Sequence, residues 1–126
     1  MKLLIDTHVF VWATIEPSRL SPRVRELMID PEVVCLISAA SAYEILVKRD
    51  RDPALWRLPE DIETAVGQTD FLWLSITPRH AAAAARLPRH HGDPWDRILI
   101  AQAISEDAAL VTADTAIAAY DVRVTW

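Results

Sequence analysis

Short apolar runs alternate along this chain with helix-length segments, and three of those segments open on a capping residue followed directly by proline. Ser21-Pro22 opens a run to about Ile29, Thr77-Pro78 an alanine-rich run to Arg86, and Asp93-Pro94 a run to Ser105. Ser38 opens another to about Arg49, and Pro59 one to about Gln68. Proline just inside a helix start costs no hydrogen bond, because its missing N–H would have found no helical acceptor there. The apolar runs between, Lys2 to Ile5, Val33 to Ile37, Leu72 to Ile76, Ala109 to Thr112 and Val122 to Val124, read as strands. Strands alternating with helices predict parallel βαβ units with right-handed crossovers and helices on both faces of the sheet. The expectation is a three-layer α/β/α sandwich with a central, mostly parallel sheet of four to five strands. At 126 residues and 52% hydrophobic content, residues 1–126 suffice for one domain with a buried core.

Composition removes several functions that such a fold often carries. Only Gly67 and Gly92 are glycine, so neither a dinucleotide fingerprint nor a phosphate loop can be present. The single cysteine, Cys35, lies in an apolar run, which excludes an intramolecular disulfide and a thiolate zinc cluster. A net charge of -5 supplies no global attraction for nucleic acid, so any such contact must be local. No apolar stretch approaches the roughly 20 residues of a membrane span, and no signal-peptide pattern opens the chain; a cytoplasmic protein is expected.

Four carboxylates stand where strands stop or helices begin. Asp6 and Asp114 follow apolar runs, while Glu44 and Asp96 fall in the first or second turns of expected helices. In a parallel sheet all these points belong to one edge, beyond the carboxyl ends of the strands, where ligands bind. Each has a structural alternative. Asp6, Asp96 and Asp114 suit helix N-termini as caps or dipole acids, and Glu44 has both capping-box spacing from Ser41 and ion-pair spacing to Lys48. Together, oxygen ligands without His or Cys suit Mg2+ or Mn2+, and such a set points to metal-dependent phosphodiester hydrolysis.

Leu4-Ile5-Asp6-Thr7-His8, Ser38 through Ile45, His91 through Ala103, and Leu110 through Asp114 resemble, in this order, the motifs of the PIN-domain family, and within it the VapC toxins of toxin–antitoxin pairs. The resemblance implies a Mg2+- or Mn2+-dependent endoribonuclease, commonly dimeric, silenced by a cognate VapB-type antitoxin whose tail occupies the acidic groove. It carries metal-binding roles to Asp6, Glu44, Asp96 and Asp114, and a central hydroxyl role to Thr112. Arg97 resembles the family's arginine beside the third acid, suited to a carboxylate or phosphate, with a structural ion pair as its plainer use. Asp93 extends the acidic cluster or caps the helix that Pro94 opens. Tyr43 replaces a frequent tryptophan. Asp50-Arg51-Asp52 lacks a frequent glycine, which leaves the path from Arg49 to Leu58 undetermined. His90 and His91, adjacent in a glycine-containing loop, read as solvated, with metal ligation or a general-base role as the alternative. Trp12 and Trp95 serve in packing or oligomer contact, with base stacking as the alternative.

Rival enzymes of similar topology fail on residues: a phosphotransferase of this type wants a second Asp where His8 stands, and a receiver domain wants a late Lys, yet none follows Lys48. The remaining alternative is a PIN-like module that binds RNA or a protein partner without cutting.

Overall fold

The computed structural model describes residues 1–126. Its centre is β1 (Lys2–Ile5), an apolar strand with parallel neighbours on both sides, β2 (Val34–Ser38) and β4 (Ala109–Val111). Beyond them lie β3 (Leu72–Leu74) and β5 (Val124–Thr125), giving a five-stranded sheet in the order β3-β2-β1-β4-β5 with every pairing parallel. The chain order reverses direction across the sheet between β1 and β4, and strand ends spread apart at such a reversal to leave a crevice.

Alternation along β1 decides which residue faces which layer. Leu3 and Ile5, with Cys35, Ile37, Ala109 and Val111, face a layer supplied by α1 (Thr7–Ile15), α2 (Pro22–Ile29) and α4 (Ile62–Gly67) through Val9, Phe10, Val24, Ala65 and Val66. Leu4, Leu36 and Leu110 face the other way, onto Leu99, Ile100 and Ala103 of α6 (Pro94–Ser105) and onto Ile117 and Tyr120. Two apolar faces and continuous apolar strands are the signature of a parallel sheet covered on both sides. Burying a side chain such as Phe10 or Leu4 completely contributes about 1.5–3 kcal/mol each. Cys35 is buried as expected, and burial pushes its thiol up to about 11.

Two helices complete the frame, α3 (Ala39–Lys48) and α5 (Pro78–Arg86). The proline starts at Pro22, Pro78 and Pro94 fall where the sequence places them. The helix expected from Pro59 instead begins at Ile62 after Asp61; Leu58, buried before the proline, offers no side chain to cap an earlier start. The last strand lies at Val124–Thr125 rather than Val122 to Val124: Val122 packs with the α6 layer and Arg123 gives its carbonyl to Leu110. The undetermined stretch after α3 contains a 3-10 turn, Pro53–Arg57, capped by the Asp52 side chain. No helix is long and apolar enough to cross a membrane.

Candidate active site

The floor of the crevice is a contact between its two bordering strands. Asp6 directly follows β1, and its backbone N–H still donates to Val111 of β4 at 3.0 Å. It occupies the N-cap position of α1, yet its side chain caps nothing. Instead the Thr112 hydroxyl donates to Asp6 Oδ2 at 2.7 Å, while accepting from the Asp114 backbone N–H at 3.1 Å. Both side chains are buried. Burial pushes the Asp6 carboxyl above the usual range; the Thr112 hydrogen bond and His8 work against the rise, and the charge of Glu44 adds to it. A capping aspartate on a surface helix shows the opposite tendency.

One wall is α3. Ser38 ends β2 and caps this helix by accepting from Ala40, so Ser41 is free of capping duty and accepts a buried hydrogen bond from Thr7 at 2.8 Å instead. That bond ties the first residue of α1 to α3. Glu44, one turn further, is buried, and Lys48 Nζ lies 2.6 Å from its Oε2. The ion-pair spacing is therefore realised and the capping box is not.

The other wall is the start of α6. Asp93 caps it, accepting from the N–H groups of Trp95 and Asp96. The Asp96 carboxylate is thereby left without capping work. Burial first, then the charges of Asp93, Asp6 and Asp114, push it up to about 6, with His91 opposing. Asp114 is exposed and caps the 3-10 turn Thr115–Ala119 through Ala116.

Asp6 thus feels Glu44, and Asp96 feels both Asp6 and Asp114, so the four acids share one electrostatic neighbourhood at one sheet edge. No three acidic, histidine or cysteine side chains form a ready-made ligand shell. An open, oxygen-only set whose burial and mutual repulsion oppose ionisation fits a hydrated hard cation, which keeps waters and needs only one or two carboxylates, better than a closed zinc cage. The residues that could hold it are Asp6 and Asp96, with Glu44 and Asp114 in the same electrostatic neighbourhood.

Two readings of the sequence need correction. Arg97 grips neither a carboxylate nor a phosphate: it is buried and donates to the carbonyls of Ala84, Leu87 and Pro88 at 2.9 Å, and more loosely to the Tyr120 hydroxyl. The signal was present in Leu87-Pro88, since a helix halted by proline leaves carbonyls in want of donors. His91 is only partly solvated, for its ring lies against Tyr120 and Asp96, while His90 is exposed as expected. Trp95 packs on Tyr43 with ring centroids 4.9 Å apart, and Trp12 on Trp126 at 5.8 Å with the Arg19 guanidinium over its face.

The PIN-domain family profile matches residues 3–123. The chain belongs to the PIN-domain family. Ribonuclease VapC22 of Mycobacterium tuberculosis is 34% identical over 122 residues, covering 89% of this PIN domain and 86% of that protein. The fold is similar to that of VapBC2 from Rickettsia felis, solved bound to a DNA fragment from its promoter, with a TM-score of 0.75 at 13% identity over 99% of this chain and 98% of that one. DNA-bound VapBC from Salmonella typhimurium gives 0.73 at 14% identity, over 99% and 97%. PIN-domain nucleases of the VapC kind generally depend on a divalent metal ion.

Proposed function

We propose that this PIN domain, acting as one unit over residues 1–126, is the toxin of a VapBC-type pair: a cytoplasmic endoribonuclease that hydrolyses RNA phosphodiester bonds with Mg2+ or Mn2+. The observation that carries the reading is the pair Asp6 and Asp96, two shielded carboxylates whose ionisation is opposed by burial and by neighbouring acids, Glu44 for Asp6 and Asp93, Asp6 and Asp114 for Asp96. A protein has little reason to hold that charge at a ligand-binding edge unless a cation joins it.

A bound dication supplies Lewis-acid polarisation of the scissile phosphate and a water that ionises near neutral pH. The chain's own groups do the rest. Thr112 holds Asp6 Oδ2 and so limits the orientations open to that carboxylate. Glu44 and Asp114 complete the catalytic set, and Lys48 is ion-paired with Glu44. Beside Lys48, a hollow of about 230 Å3 lined by His8, Trp12 and Arg19, and also by Glu16 and Asp52, offers aromatic and ion-paired cationic groups to an RNA strand. Contact with RNA would be local, as a net charge of -5 requires.

The acidic groove also favours an antitoxin tail with a cationic group, in keeping with the toxin–antitoxin complexes of similar fold. Tyr43, Leu46 and Val47, exposed along α3, support a homodimer through that face.

Incubating purified protein with structured RNA and Mn2+ should give cleavage that chelator abolishes and that Asp6→Asn and Asp96→Asn lack. Cleavage surviving chelator and both substitutions rules out the metal reading. RNA binding without cleavage in either metal supports the non-catalytic module instead.

A further inference from the structure

Behind Asp96 runs a chain of polar contacts that the catalytic set does not use. It begins at Arg97, fixed by three carbonyls, passes through the buried Tyr120 hydroxyl, and ends at the His91 ring. Its direction follows from chemistry. A guanidinium and a backbone amide can only donate, so Arg97 Nη1 at 3.5 Å and His91 N at 3.2 Å occupy the acceptor side of the Tyr120 oxygen. The hydroxyl's one proton is left to donate, and His91 Nδ1 at 2.9 Å is a nearer acceptor than the His91 carbonyl at 3.4 Å. With Nδ1 accepting, the neutral ring carries its hydrogen on Nε2. That atom is buried, has no hydrogen-bond partner, and lies 3.4 Å from Asp96 Oδ2.

We infer that His91 is a positioning residue for Asp96: Arg97 and Tyr120 fix its tautomer so that the Nε2–H, 3.4 Å from Oδ2 and without another partner, is the donor at hand for that oxygen. The role for metal binding rests on the function proposed above; the tautomer does not. Such outer partners typically change metal affinity by about 10–100-fold when removed.

Long-range proton–nitrogen NMR on the metal-free protein at about pH 8, above the ordinary imidazole range, should show His91 with its hydrogen on Nε2. In Tyr120→Phe the Nδ1–H form should appear beside it. Calorimetric titration with Mn2+ should show His91→Phe weakened by about 10-fold and His91→Gln, whose amide N–H can replace the donor, recovering most of the loss. Wild-type protein carrying the hydrogen on Nδ1, or a tautomer indifferent to Tyr120→Phe, overturns the assignment. So does a His91→Phe protein that binds Mn2+ like the wild type. If the Nε2–H tautomer is found and depends on Tyr120 while wild-type protein takes up no Mn2+, the structural assignment stands and the metal reading of the acids falls.

Discussion

The two walls of the crevice present the same kind of group in different electrical settings. On α3, Glu44 is buried but has Lys48 at 2.6 Å, a full positive charge supplied by its own helix. At the start of α6, Asp96 is partly shielded too, yet its nearest cationic candidate is His91, and three other carboxylates act on it. The first wall is balanced within the chain. The second is balanced only when a proton or an outside cation arrives. Under the proposed function this asymmetry gives the two acids different work: Asp96, with Asp6, would hold the ion, and Glu44, paired with Lys48, would stand nearby.

The largest test of that division is catalytic. Asp96→Asn should lower RNA cleavage by at least about 100-fold, the loss usual when a group stabilising transition-state charge is removed; single-turnover assays with Mn2+ check it. Retention of more than a tenth of wild-type activity would place the ion elsewhere.

Next comes stability against pH. Asp96 sits at about 6 in the folded protein against an ordinary 3.8, so between these values the folded form holds a proton that the unfolded chain has released. Its stabilising effect is therefore complete below 3.8 and is lost as pH rises through 6. The total is on the order of 2–3 kcal/mol. Denaturant titrations of metal-free protein between about pH 4 and pH 7 should show the wild type losing stability relative to Asp96→Asn by this amount. Parallel curves would contradict the raised value.

On the other wall, Lys48→Met should cost about 1–2 kcal/mol without metal, less than for a fully buried pair because Lys48 is half exposed. Added Mn2+ should restore more stability to this variant than to the wild type, read as a larger shift in Tm. Equal shifts would mean that Glu44 lies outside the reach of the ion. The smallest effect is at Asp114, which caps a turn while exposed: Asp114→Ala should cost about 1 kcal/mol or less and Asp114→Asn a few tenths, since asparagine caps as well.

What could be read from residues alone was what is decided locally. Ser21-Pro22, Thr77-Pro78 and Asp93-Pro94 mark helix starts because a cap and a proline act within one turn, and the structure begins its helices there. Pro59 lacked half of that signal, since Leu58 before it cannot cap, and its helix begins only after Asp61. That Asp6 and Asp114 follow strands on one edge was legible, whereas a central place for Thr112 came only from the family resemblance. The partners of Arg97 and His91 were not, because they depend on where α5 stops relative to α6 and on a tyrosine far along the chain. Competing roles at one residue were also beyond the sequence: Glu44 had two structural uses by spacing, and only packing selects the lysine.

The Thr112–Asp6 bond spans 106 positions, and the strand that brings Thr112 into place pairs directly with β1. An N-terminal segment emerging from a ribosome therefore waits, with its first acid unsupported, until the 106 positions that separate it from Thr112 have been added. A toxin assembled in this order gains its capacity to harm only after its first and fourth strands have met.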